Sequence, residues 1–187
     1  MEMQPTITKI PTPKIVLWVA MVSMIMIFAG LTSGYIVRQA EGNWMSFEVP
    51  LAFYFSTGLL IASSITMFWA QKAVKRDQLQ SIKIALILTL GLGLAFVFSQ
   101  FLGYNQLVNE GVYFTGGNIA GSFFYVITGL HIAHLAGGIL ALIFTSGKSI
   151  MEKYNSSNLL GIQLCAMYWH FLDFLWLYLF VFLVAIR

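Results

Sequence analysis

Residues 84–106 read IALILTLGLGLAFVFSQFLGYNQ, and the 26 positions between Lys83 and Glu110 carry no charged side chain. A bilayer core of about 30 Å needs about 20 predominantly apolar residues of helix to cross it. Within hydrocarbon every backbone N–H and C=O must find its partner inside the protein, which leaves helices or closed barrels. A run this long, without alternation of apolar and polar residues, predicts a transmembrane helix. The same pattern recurs along the chain. No charge falls in the 23 positions between Lys14 and Arg38, nor in the 23 between Glu48 and Lys72. The 37 positions from Gly111 to Gly147 are uncharged as well, and from Tyr154 to Ile186 the only charge is Asp173. The 37-residue run is too long for one span, and Gly116-Gly117-Asn118 trims its start as a turn signal. Five spans are predicted: 15–37, 50–71, 84–106, 119–146 and 159–186. The fold class is an all-α integral membrane protein, a single domain over 1–187 built as a bundle of five transmembrane helices.

Composition agrees. Of 187 residues 59% are hydrophobic and 9% charged, against roughly 25% charged in an average soluble domain, and mean hydropathy is +0.82. Ten Lys and Arg and seven Asp and Glu cannot coat a soluble fold of this size. Intrinsic disorder is excluded by the excess of apolar side chains. A disulfide scaffold is excluded because Cys165 is the one cysteine. The net charge of +3 does not point to nucleic acid, since no basic cluster is long enough to build a groove.

All four prolines, Pro5, Pro11, Pro13 and Pro50, fall outside the span interiors. Pro50 follows Glu48 where the second helix should begin, and an acidic residue suits a helix N-terminus. The first run is too long for a cleaved signal peptide and has no small-residue cleavage site before a soluble domain. With five spans, one side of the membrane holds Lys9, Lys14, Lys72, Lys75, Arg76, Lys83, Lys148 and Lys153, and the other holds Arg38 and Arg187. The excess of Lys and Arg on one side predicts a cytoplasmic N-terminus and a C-terminus outside. Trp18, Trp44 and Trp69 fall near span ends, as interfacial tryptophans do.

Ionisable residues at membrane depth are the informative ones. His131 and His134 lie three apart on one face of the fourth helix, and His170 and Asp173 three apart on the fifth. At 1.5 Å per residue each pair lies roughly 15–20 Å from its boundary, in the middle third of the membrane, so the pairs are at comparable depth. They suit two chemistries. One is a structural hydrogen-bond cluster in which a histidine satisfies the Asp173 carboxylate, because a buried carboxylate is costly alone. The other is a metal or haem site or a proton relay, since His-x-x-His facing His-x-x-Asp offers nitrogen and oxygen ligands. A single His-x-x-His does not supply the separated axial histidines of a bundle haem. Small residues mark expected helix contacts at Gly30 and Gly34, at Gly117 and Gly121, and at Ala133 and Gly137. Cys165 reads as a small packed apolar side chain.

The string Tyr168-Trp169-His170-Phe171-Leu172-Asp173-Phe174-Leu175-Trp176 resembles the last-helix motif of subunit III of haem–copper oxidases. Gly121-Ser122-Phe123-Phe124 and Thr128-Gly129-Leu130-His131-Ile132-Ala133-His134 are similar to that family's preceding helix. Gln100 and Tyr104 match a further piece, and Ser63-Ser64, Phe28, Gly30 and Tyr35 follow in the right order. The resemblance covers essentially the whole chain and is to the short, five-helix bacterial form. Two positions depart from it. The family commonly has an acidic residue after the serine matching Ser23, where Met24 stands, and a glutamate before the tyrosine matching Tyr104, where Gly103 stands. No role of that first membrane carboxylate carries over to this chain.

The resemblance implies a non-catalytic accessory subunit of a proton-pumping terminal oxidase in aerobic respiration, a cytochrome c oxidase in preference to a quinol oxidase. It implies a chain without its own haem or copper, those cofactors belonging to partner subunits. It implies packing on subunit I, with subunit II in the same complex and a larger respiratory supercomplex as a further partner. Bound phospholipid, support of sustained proton uptake and a place in the bacterial cytoplasmic (inner) membrane follow from the same resemblance. The rival readings are a small haem- or metal-binding membrane cytochrome using His131, His134, His170 and Asp173, and a transporter. The transporter lacks support from a broken helix or an internal repeat.

Overall fold

A computed structural model describes residues 11–40, 44–115, 117, 119–151 and 159–186. Lys9, Gly116, Asn118, Lys153 and Arg187 therefore lie outside the described residues. Five helices follow one another: α1 (Thr12–Ala40), α2 (Leu51–Val74), α3 (Leu79–Asn109), α4 (Ile119–Ile150) and α5 (Leu160–Ala185). All five are long and apolar enough to cross a membrane, and no strand occurs among the described residues. Each helix contains or nearly coincides with a predicted span, and several run a turn past it. The uncharged runs mark the hydrocarbon depth, whereas Lys14, Arg38, Lys72, Lys83 and Lys148 continue the helices into the headgroup layer, where long basic side chains keep their charge in water.

The helix ends have local causes. Pro50 sits just before α2 with φ −57° and ψ 147°, and its carbonyl accepts the first turn's bond from the Phe53 N–H at 3.0 Å. At the end of α2 the Gln78 N–H reaches back to the Ala73 carbonyl and the Asp77 N–H to that of Val74. Asp77 adopts φ 53° there. This is the Schellman arrangement, with aspartate tolerating the left-handed position. α3 ends the same way on Gly111 at φ 80°, with Val112 N–H bonded to the Leu107 carbonyl.

Helices α2, α3, α4 and α5 close a ring in which each touches its two neighbours, and α1 lies outside it against α4 and α5. The start of α1, the end of α2 and the start of α5 surround one cleft that includes Lys14, Lys75 and Leu159. Those segments thus share one end of the bundle, the up-and-down arrangement the spans imply. Inside the ring Trp169 and Trp176 of α5 are fully buried. A buried indole N–H needs an acceptor, and both find one on α2. Trp169 Nε1 donates to Ser63 Oγ at 3.1 Å and Trp176 Nε1 to Thr57 Oγ1 at 3.0 Å. Those hydroxyls in turn donate to carbonyls of their own helix, Ser63 to Leu60 at 2.7 Å and Thr57 to Phe53 at 2.8 Å. In a medium without water, one hydroxyl satisfies itself within its helix and serves the neighbouring helix as acceptor.

The same device recurs around the ring. Gln100 Nε2 of α3 donates to Ser56 Oγ of α2 at 2.7 Å, and Tyr104 OH of α3 to Thr128 Oγ1 of α4 at 2.9 Å. Close approach needs small residues at Gly93, Gly103 and Gly138. A β-carbon at Gly93 would come within 2.7 Å of the Trp169 ring, and one at Gly138 within 3.0 Å of Leu172. At Gly103 it would collide with the ring of Phe53. α1 is held by Phe28 and Tyr35, both buried, by a 3.0 Å bond between Thr32 Oγ1 and Tyr178 OH, and by Gln39 Nε2 donating to the Ile186 carbonyl.

Candidate intramembrane polar sites

His131, His134, His170 and Asp173 do not gather in one place. On α4, His131 is fully buried. Its ring stands 5.0 Å from that of Trp176, 6.2 Å from Phe96 and 6.4 Å from Phe28, centroid to centroid. Neither of its nitrogens has a hydrogen-bond partner. His134, half-buried one turn on, lies 5.7 Å from Phe28. Its Nδ1 is 2.8 Å from the Leu130 carbonyl. A carbonyl can only accept, so Nδ1 carries the proton of that bond. The α4 pair thus looks toward α1 and α3, and meets α5 through Trp176.

On α5 the pair faces α2. His170 Nδ1 and Ser64 Oγ are 2.8 Å apart, and the Phe68 ring stacks on the imidazole at 4.0 Å and 23°. Asp173 lies one turn further on, buried at 5% exposure. Ser64 lies beside it, but the serine's bond goes to His170. Both carboxylate oxygens of Asp173 and Nε2 of His170 lack a partner. The expected bond from Asp173 to a histidine is therefore absent from the structure. The reason is rotational. Three-residue spacing puts each pair on one face of its own helix, but α4 turns its face to Phe28 and Phe96 while α5 turns its face to Ser64 and Phe68. Among the described residues no three His, Cys, Asp or Glu side chains come together as a metal-binding group.

The small residues divide likewise. Gly34 packs on Phe123 at 3.7 Å and Gly137 on the Tyr168 hydroxyl at 3.8 Å, measured from a β-carbon placed on each. Gly121 is buried in the first turn of α4. Gly30, in contrast, faces open space, and Gly117 is a turn residue with φ 82°. In neither case does the close approach expected of a helix-packing glycine occur among the described residues. The close approaches at Gly93, Gly103 and Gly138 had no motif to announce them. Nor did the serine and threonine acceptors of the tryptophans, whose only sequence trace is a hydroxyl inside an apolar run.

Gly103 also bears on the second departure from the family pattern. The space a glutamate there would enter is filled by the Phe53 ring, which packs on Phe124 at 5.0 Å and stacks with Trp176 at 6.5 Å. Met24 lies on α1, half-buried.

Comparison with known proteins agrees with this architecture. The family model described as cytochrome c oxidase subunit III matches residues 42–186. A probable cytochrome c oxidase subunit 3 of Mycobacterium bovis is 32% identical over 177 residues, covering 92% of this chain and 86% of that protein. The corresponding protein of Nocardia farcinica is 31% identical over 182 residues with the same coverage. Cytochrome c oxidase subunit 3 of Salmo salar is 35% identical over 138 residues, 72% of this chain but 49% of the fish protein. With the family model matched along most of its length and the last-helix motif in place on α5, the chain belongs to the cytochrome c oxidase subunit III family.

Proposed function

We propose that this chain, as one five-helix domain, is the non-catalytic accessory subunit of a proton-pumping cytochrome c oxidase in a bacterial cytoplasmic membrane. It packs on subunit I, shares the complex with subunit II, holds lipid and supports sustained proton uptake by its neighbour. Its N-terminus is cytoplasmic. Haem and copper belong to the partner subunits. The observation that carries the reading is the family match over residues 42–186. The buried polar groups support it. Most hydroxyls and indoles of the core are spent on joining helices, which suits a scaffold. His131, enclosed by three aromatic rings, keeps no open side for a haem or metal, which disfavours the cytochrome alternative. In this reading His131 and His134 pack the core side of α4 and His170 joins α5 to α2 through Ser64, with Asp173 beside it. The test is purification of the tagged chain from membranes in mild detergent. Copurification with a haem- and copper-bearing large subunit, and no haem absorbance in the separated chain, are expected. A Soret band carried by this chain alone would overturn the proposal.

A further inference from the structure

Asp173 stands midway along α5 (Leu160–Ala185), about 20 Å from either end at 1.5 Å per residue. It lines a groove of 270 Å³ on the outer seam between α2 and α5, walled by Ile61, Ser64 and Phe68 of α2 and by His170, Phe174 and Leu177 of α5. Among the described residues nothing bonds to either Asp173 oxygen or to His170 Nε2, and Ser64 is taken by His170 Nδ1. The rim is apolar and uncovered. Ile61, Phe68 and Phe174 are exposed, Phe174 at 74%. A buried acceptor left alone in hydrocarbon is costly, and an acyl tail has no N–H or O–H to give it. The other places differ. His131 is also unpartnered, but three aromatic rings enclose it. The two clefts beside α1 have no unpartnered buried polar atom in their linings.

On the accessory-subunit reading, on which this step rests, we infer that the α2–α5 groove is the seat of a transmembrane helix from another chain of the oxidase, and that this helix gives Asp173 a neutral hydrogen-bond donor. The occupant is a helix because the groove lies at mid-membrane depth, where a segment from another chain must bond its own backbone. One of its side chains enters between Ile61 and Phe174 while the helix lies across the exposed rim, as a knob enters a hole. The donor is a hydroxyl, an amide or an indole N–H, because Asp173 offers oxygens and lacks a donor. The chain's own helices are joined in the same way. Trp169 and Trp176 donate to hydroxyls of α2, Gln100 to Ser56 and Tyr104 to Thr128. A lysine or arginine on the partner helix fits less well. It would have to be carried to the middle of the membrane before docking, at a much higher cost than a hydroxyl or an indole. His170 Nε2, one turn away from Asp173, gives the entering side chain a second polar contact.

The experiment has two arms on the complete oxidase. In the first, a photoreactive benzoylphenylalanine replaces Phe174 or Ile61 and is irradiated in intact membranes, and the product is mapped by peptide mass spectrometry. A cross-link is expected to a membrane-spanning segment of another oxidase chain that carries Ser, Thr, Asn, Gln, Tyr or Trp within one turn of the cross-linked residue. In the second, the complex is diluted in mild detergent and retention of this chain is read by native mass spectrometry. Asp173→Leu should weaken retention roughly tenfold. Asp173→Asn keeps an acceptor oxygen and should be retained like the parent. Hydrogen–deuterium exchange of the leucine variant should match the parent over α2 and α5, which separates lost docking from a misfolded chain. Cross-links to lipid alone, or to a segment with no donor, would overturn the assignment. So would a leucine variant retained like the parent. An asparagine variant lost as readily as leucine would overturn the neutral donor, because the partner would then be a cation. Failure of the chain to copurify with an oxidase would strike the accessory reading instead, and the cross-link made in membranes would still report what fills the groove.

Discussion

The ring of Phe53 on α2 occupies the space that any side chain at position 103 of α3 would need. Phe53 is 1% exposed and packed on Tyr104, Phe124 and Trp176, so it has nowhere to retreat. Gly103→Ala should therefore destabilise the assembled subunit by about 1–3 kcal/mol, the usual result of overpacking a filled core. Gly103→Glu should be worse. Adding Phe53→Leu to Gly103→Ala should recover part of the loss. Thermal unfolding of the purified complex reads both. An alanine variant as stable as the parent would mean that the α2–α3 contact is looser than the structure has it.

Thr57 and Trp176 make a second case. Thr57→Val keeps the shape but leaves the Trp176 indole N–H without its acceptor at 3.0 Å. An unsatisfied buried donor costs about 1–3 kcal/mol. Thr57→Ser restores the acceptor and should cost less. If valine and serine behave alike in thermal unfolding, the indole–hydroxyl bond contributes nothing that packing does not.

How much of this was legible in the sequence follows from where charge lies. Lys83 and Glu110 bracket the uncharged stretch of α3, because charge is costly over the depth of a membrane helix. The inward face of each helix was not legible. A helix that is apolar all round gives no stripe to orient it, so His131 and Asp173 were expected to meet when their depths agreed. The rotation that sends His131 to Trp176 and Asp173 toward Ser64 is set by side-chain packing around the ring. Phe28, Phe96 and Phe68 carry it, and as single phenylalanines among sixteen they are silent in the sequence.

Ser64 and Asp173 give opposite expectations. Ser64→Ala removes the partner of His170 Nδ1 and should cost about 1–3 kcal/mol. Asp173→Asn removes a carboxylate whose two oxygens have no hydrogen-bond partner, and should leave stability unchanged or raise it. Thermal unfolding of both variants, with retention of the chain in the complex, is the measurement. A large loss on Asp173→Asn would show that the ionised form has a partner in the assembled oxidase.

Topology has its own test. Cysteines introduced at Lys75 and at Asn109 sit at opposite ends of α2–α3, and the native Cys165 is buried. An impermeant maleimide applied to intact cells should label position 109 and spare position 75. The reverse pattern would invert the orientation that the basic residues imply.

The attachment of α1 is the feature on which the bundle's local stability should differ most. Among the described residues its backbone lies close to α4 and α5 and not to α2 or α3. Phe28 is its one fully buried side chain, seated against His131 and His134, and the Thr32–Tyr178 bond at 3.0 Å is one of its ties to the far half of α5, beside Gln39 on the Ile186 carbonyl and Tyr35 on Phe182. Removing a buried phenylalanine costs about 3–5 kcal/mol, whereas an intramembrane hydrogen bond is worth about 0.6–1.7 kcal/mol. Phe28→Ala should therefore loosen α1 much more than Tyr178→Phe. The difference should be confined to α1, because the ring of α2 to α5 keeps its own contacts. Hydrogen–deuterium exchange of the complex in detergent resolves it. Faster exchange is expected over residues 12–40 in both variants, greater for Phe28→Ala, with the amides around Trp169 and Trp176 unchanged. Exchange that rises equally in all five helices would mean that α1 is part of one cooperative unit with the ring, and the separate attachment argued from its contacts would not stand.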